Sequence, residues 1–129
     1  MKRCMLLSKI HMATVTAARV DYAGSLTIPR PVLEAAGILP FEQILVANTR
    51  NGARLTTYAI AGDEPGVFCL NGAAARLGSP GDRVIVLAFA WLDETEARTH
   101  VPTVVCMGEG NRIGKVTGGR PPRGEEARP

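Results

Sequence analysis

Asn51-Gly52 stands between two apolar, β-rich runs, and it constrains the fold more than any other pair in the chain. The tight turn of a two-residue hairpin needs positive φ at its central residues, and Asn followed by Gly meets that need with least strain. It predicts a hairpin joining residues 43–47 to residues 54–60. By the period of two, Arg54, Thr56 and Tyr58 fall on one face of the second strand and Thr57 on the other. A bulge or sharp twist is needed to bring Thr57 to the same site.

The rest of the chain repeats this β character in short pieces. Met5, Leu7, Lys9, His11, Ala13 and Val15 alternate with Leu6, Ser8, Ile10, Met12 and Thr14, so residues 1–19 read as extended, with Lys9 and His11 sharing a face. Residues 26–28, 67–70, 83–91 and 101–107 read as further strands. Pro29 and Pro31 introduce a short helix over residues 32–36, which Gly37 stops. Asn71-Gly72 leads into one or two helical turns over residues 73–77, whose amides suit an anion, and residues 93–98 read as a short acidic helix. The expectation is a mainly β fold with short helices, a small mixed barrel whose topology the pattern leaves open.

Charge and cysteine content narrow the function classes. The sequence pI is about 9.0, yet residues 1–108 hold ten Lys or Arg against nine Asp or Glu. Most of the excess falls in residues 109–129, with five basic and three acidic residues and no apolar period from Gly110 onward. The division expected is one domain over residues 1–108 and a disordered tail over residues 109–129. A dedicated nucleic-acid surface would be more densely basic. Cys4, Cys69 and Cys106 have neither disulfide-framework nor metal-ligand spacing, so no metal is expected and a reducing cytoplasm is. The apolar run over residues 4–7 is too short for a signal peptide, and that over residues 84–92 too short for a membrane helix.

Gly24-Ser25 carries the chemistry of most interest. A serine hydroxyl lies within reach of the preceding carbonyl if the backbone is held strained, and glycine leaves that carbonyl open. Most Gly-Ser pairs are only turns. Here the pair sits among Lys9-Ile10-His11, Tyr22-Ala23-Gly24-Ser25, Leu33-Glu34-Ala35-Ala36-Gly37-Ile38, Asn51-Gly52, Arg54, Thr56-Thr57-Tyr58-Ala59-Ile60, Asn71-Gly72-Ala73-Ala74-Ala75 and Glu96-Ala97-Arg98-Thr99. In that order and spacing, residues 1–108 resemble the pyruvoyl-dependent aspartate 1-decarboxylase family.

The resemblance implies a double-psi β-barrel, assembled as a homotetramer with active sites between neighbouring subunits. It implies autocatalytic cleavage at Gly24-Ser25, through an ester and dehydroalanine, leaving Ser25 as a covalent pyruvoyl group that binds substrate as a Schiff base. No pyridoxal phosphate is required. The implied reaction turns L-aspartate into β-alanine and carbon dioxide for pantothenate and coenzyme A biosynthesis. Tyr58 becomes the proton donor, and Arg54 and Lys9 become partners for substrate carboxylate. Thr57, Gly72, Ala73 and Ala74 become substrate-binding residues, Thr57 also polarising the Gly24 carbonyl. Asn71, Tyr22 and His11 are supporting residues. Ala47 stands where the family often has tryptophan, and residues 62–66 form a slightly shortened loop.

Two rivals remain at this level. Residues 24–38 also look like the swapped-hairpin DNA-binding transcriptional regulators, with a Gly-x-x-x-Ile-Pro segment, a short helix and Gly-Ile. Those modules are much shorter, carry clustered basic residues and have no use for Thr57-Tyr58 or residues 71–75. The other rival is an uncut, catalytically dead barrel acting as an interaction protein.

Overall fold

The computed structural model describes residues 1–119 of the chain. It is mainly β, with strands β1 (Lys2–Thr14), β2 (Ala17–Arg19), β3 (Ser25–Pro29), β4 (Gln43–Asn48), β5 (Arg54–Gly62), β6 (Cys69–Asn71), β7 (Arg83–Asp93), β8 (Thr103–Met107) and β9 (Ile113–Gly118). Two short helices, α1 (Arg30–Ala36) and α2 (Glu94–Thr99), and a 3-10 turn (Gly72–Arg76) punctuate them. The strands form one nine-stranded sheet in the order β2-β6-β3-β5-β4-β7-β1-β8-β9, consistent with a β-barrel.

Local chemistry sets most boundaries. The expected hairpin joins β4 to β5 in unbroken antiparallel register, from Gln43 opposite Tyr58 to Ala47 opposite Arg54. Its turn is not the two-residue one: it spans residues 49–52, closed by the Asn48 N–H on the Ala53 carbonyl and the Gly52 N–H on the Asn48 carbonyl, with positive φ at Gly52 and not at Asn51. Gly52 has φ 73°. The bulge that would swing Thr57 onto the face of Tyr58 is absent from this pair. α1 starts two residues earlier than the sequence suggests, because proline fits the first helical turn. Gly37 ends it in the left-handed conformation at φ 71°. Asp93 and Glu96 form a reciprocal capping box at the start of α2.

Residues 109–118 correct the expectation of a tail from residue 109: they form a 3-10 turn and edge strand β9. β9 pairs with β8 through its backbone and has no fully buried residue, so it leaves no apolar period to read. Its approach is pinned by Asn111, 5% exposed, whose carboxamide bonds Thr14 in both directions at 2.7 and 2.8 Å and donates to Gly66 at 2.8 Å. The remainder of the expected tail, residues 120–129, lies outside the described residues.

Ile10, Leu26, Ile28, Leu33, Ile44, Phe68 and Val86 fill one core. Fully burying such a side chain contributes roughly 1.5–3 kcal/mol. Phe68 also anchors the strand that bears the site, since Thr16 brackets its backbone: the Thr16 N–H donates to the Phe68 carbonyl at 2.8 Å, and the Phe68 N–H to Thr16 Oγ1 at 3.1 Å.

Candidate active site

β3 and β6 run antiparallel, with Ser25 opposite Asn71 and Thr27 opposite Cys69. Facing side chains in such a ladder start about 5 Å apart at Cβ, so four polar groups meet in one patch. Asn71 Nδ2 donates to Ser25 Oγ and to Thr27 Oγ1, each at 2.9 Å. The Cys69 thiol lies 3.2 Å from Asn71 Oδ1 and donates to it. The Ser25 hydroxyl in turn donates to the Ala23 carbonyl at 3.4 Å. Ser25 is 0% exposed, an unusual setting for a serine unless its hydroxyl is bonded on both sides, as here.

This patch forms part of the wall of a cavity of about 400 Å³, which Arg19, Tyr22, Ala23, Ile60 and Asp63 also line. Arg19 donates to the Tyr22 hydroxyl at 3.0 Å and lies 5.1 Å from the ring centroid of Tyr22. Burial pushes the Cys69 thiol pKa up, with Arg19 pulling weakly the other way, so the thiol stays protonated and able to donate at neutral pH.

The backbone position that requires glycine is Gly72 rather than Gly24. Gly24 is not among the residues with positive φ, and a β-carbon there would meet only the Asn71 carbonyl at 3.9 Å. Gly72 has φ 65°, and a β-carbon there would lie 2.6 Å from Gly24 Cα, Gly24 N and Tyr22 O. The backbone leading into the Gly24-Ser25 bond therefore lies against the start of the 3-10 turn, where only glycine fits. Ala73 is exposed and Ala74 buried.

The far end of that turn is clamped. Asn48 donates to the Leu77 carbonyl at 3.1 Å and to Asp82 Oδ2 at 2.8 Å. Asp82 also accepts from Arg50 Nε at 2.6 Å and from the Ser79 N–H at 3.0 Å. These bonds, that of Arg50 foremost, hold the Asp82 carboxyl far below the usual carboxylate range.

The other expected site residues lie apart from Ser25. Arg54, Ala47 and Ile85 form one lateral row across β5, β4 and β7, and Thr56, Leu45, Leu87 and Lys9 form the next row, reaching β1. Their neighbours Ile44, Val46, Val86 and Ile10 are buried, so these rows form the outer face of the sheet. His11 shares that face with Lys9; its Nδ1 is buried without a partner, and burial, then Lys9 and Arg83, lower its pKa. Thr57 and Tyr58 line a separate concavity with Phe41, whose ring centroid is 6.5 Å from that of Tyr58. The link to Ser25 is β3–β5 pairing: Leu26 opposite Ala59 puts Ser25 and Tyr58 one step back on adjacent strands.

Ser25, Asn71 and Tyr22, expected from the sequence, line one cavity together with Arg19, Thr27 and Cys69, for which the sequence carried no local signal. Cys69 read only as an unpaired thiol; the signal that places it is the β3–β6 register, which depends on long-range pairing. Among the described residues no cluster of metal-ligating side chains occurs and no helix is long and apolar enough to cross a membrane.

A family profile described as aspartate decarboxylase matches residues 1–114. The chain is 49% identical to an aspartate 1-decarboxylase of Bacillus pumilus over 124 residues, covering 95% of this chain and 98% of the relative. It is 54% identical to that of Clostridium beijerinckii, covering 88% and 92%, and 56% identical to that of Syntrophobacter fumaroxidans, covering 87% and 91%.

Proposed function

The chain belongs to the aspartate decarboxylase family and is a decarboxylase, and from that premise we propose that it cuts itself at Gly24-Ser25 and then converts L-aspartate to β-alanine and carbon dioxide. The observation that carries this reading is the buried Ser25 hydroxyl, gripped by Asn71 beside a glycine carbonyl at the wall of a cavity. The swapped-hairpin reading has no support of this kind.

In the continuous chain the Ser25 hydroxyl points at the Ala23 carbonyl. A rotation brings Oγ onto the neighbouring Gly24 carbonyl carbon; the C–O bond forms and the C–N bond breaks as the freed amine takes up the hydroxyl proton. Removal of the Ser25 α-proton then expels the Gly24 carboxylate and leaves dehydroalanine. Water hydrolyses that to the pyruvoyl group and releases ammonia. Asn71 Nδ2 stabilises the serine oxygen by hydrogen bonding in the starting state. Thr57 is assigned to polarise the Gly24 carbonyl.

Ser25 Oγ departs with the Gly24 carboxylate, and the ketone oxygen, supplied by water, takes the place of the Ser25 nitrogen. The Asn71 donor therefore suits the leaving carboxylate, whose oxygens only accept. The pyruvoyl group supplies the electron sink for the carbon that loses carbon dioxide. Tyr58 delivers the replacing proton as a general acid. Arg54 and Lys9 bind substrate carboxylate, with Gly72, Ala73 and Ala74 at the backbone wall and His11, Tyr22 and Asn71 in support.

Within one chain, Arg54 and Lys9 stand on the outer sheet face rather than in the Ser25 cavity. That face also carries Phe89, 44% exposed, and Trp91, 67% exposed. A homotetramer would cover these apolar groups and bring the cations of one subunit to the Ser25 of the next. Three free cysteines suit a cytoplasmic enzyme, and the product suits the pantothenate route. The test is to incubate purified protein with aspartate and measure β-alanine and carbon dioxide; no β-alanine from fully cut protein would refute the assignment.

A further inference from the structure

Asn71 has two faces that crystallographers often confuse, an oxygen and a nitrogen of nearly equal size, and only the nitrogen can donate to Ser25. Something must decide which end points at the serine. Thr27 Oγ1 and Ser25 Oγ both lie 2.9 Å from Nδ2, but a hydroxyl either donates or accepts, so neither alone selects the nitrogen. Cys69 resolves this. Its thiol is 5% exposed, 3.2 Å from Oδ1, and has a proton but almost no power to accept. An alternative acceptor, the Leu70 carbonyl, is farther from Sγ at 3.8 Å.

With Asn71 reversed, its NH₂ would face the weakly accepting sulfur and its oxygen would face both hydroxyls. Ser25 would then have to donate to Asn71 and give up its bond to Ala23, or leave an acceptor without a donor. A buried polar group without a partner is strongly disfavoured. The raised pKa of the thiol agrees, since a thiolate could not hold Oδ1.

We propose that Cys69 is a positioning residue for chain cleavage: its thiol fixes the Asn71 carboxamide with Nδ2 toward Ser25, and Thr27 completes the same polar set by accepting the second Nδ2 hydrogen. The role rests on the self-cleavage reading of Ser25, and it acts before any substrate is present. It asks nothing of the sulfur as a nucleophile. A serine in its place keeps the donor, whereas alanine removes it.

The experiment follows the appearance of cut chain by intact mass, starting from uncut precursor, for the wild type, Cys69→Ser, Cys69→Ala and Thr27→Val. Thermal midpoints are recorded alongside. Loss of one ordinary hydrogen bond from the reacting arrangement predicts cleavage about 3- to 10-fold slower in Cys69→Ala, with Thr27→Val slowed similarly. Cys69→Ser should stay within about 3-fold of the wild type, since a hydroxyl restores the donor. A purely packing role predicts instead that the rate follows the thermal midpoint and that serine, the smaller and more polar substitute for a buried thiol, rescues nothing; that pattern overturns the proposal. Equal rates for Cys69→Ala and wild type also overturn it, and if Cys69→Ala fails to fold, an unslowed Thr27→Val does so. A wild-type chain that never cuts overturns the self-cleavage reading and takes this inference with it, whereas a wild type that cuts alongside an equally fast Cys69→Ala sinks this inference alone.

Discussion

Gly72 lies so close to Gly24 that a β-carbon on it would stand 2.6 Å from the Gly24 α-carbon. The contact is backbone against backbone, so no side chain can rotate away to relieve it. It seats the start of the 3-10 turn against the backbone just before the bond proposed to break, so a side chain at position 72 should disturb the cleavage segment directly.

Gly72→Ala should therefore slow or abolish cleavage and lower stability together. Alanine at φ 65° carries a penalty of about 1–3 kcal/mol before the clash is counted. Thermal unfolding should show the loss, and intact mass should show precursor persisting. A variant that cuts at the wild-type rate would contradict the packing account.

Asp82→Asn tests the clamp at the other end of the turn through its pH dependence. The Arg50, Asn48 and Ser79 bonds hold the Asp82 carboxyl below its ordinary value of 3.8, so its charged form favours the folded state. That contribution is fully present above about pH 4 and fades as pH falls from there toward the depressed folded value. The variant should melt lower than the wild type at pH 7, and the gap should narrow below about pH 4. A gap that stays constant to pH 2 would count against the clamp.

Tyr58→Phe should separate making the enzyme from using it. The phenol is assigned to proton delivery, so the variant should still cut its chain yet release β-alanine about 10²–10⁴-fold more slowly. Full turnover in the variant, measured as β-alanine released, would remove Tyr58 from the mechanism.

How far the sequence could be read depended on how local each feature was. Asn51-Gly52 announces a hairpin locally, although the turn formed is the longer one over residues 49–52 with only Gly52 at positive φ, and Gly37 marks the end of α1 in the same local way. β9 escaped because an edge strand held by backbone bonds leaves no apolar rhythm. Ser25 and Asn71 were legible through resemblance, but their 2.9 Å bond, and the part of Cys69 and Thr27 in it, comes from the register of strands more than forty residues apart. The crowding at Gly72 left no local sign either, since only the folded backbone shows what a β-carbon would meet.

Leu87→Glu asks whether cleavage belongs to one chain and catalysis to several. Leu87 lies on the outer face between Leu45 and Lys9, whereas Ser25, Asn71, Thr27 and Cys69 meet within a single chain. A charge on that face should break the assembly, seen by light scattering, and remove most aspartate decarboxylation while cleavage continues. An active monomer would refute the shared site.

The most direct test of the central claim is the intact mass of the purified wild-type chain after prolonged warming, with a hydrazine added to trap carbonyls. The account predicts two fragments, residues 1–24 and residues 25–129, the second carrying a trappable ketone in place of the Ser25 amine. A single uncut chain that takes up no hydrazine would contradict it.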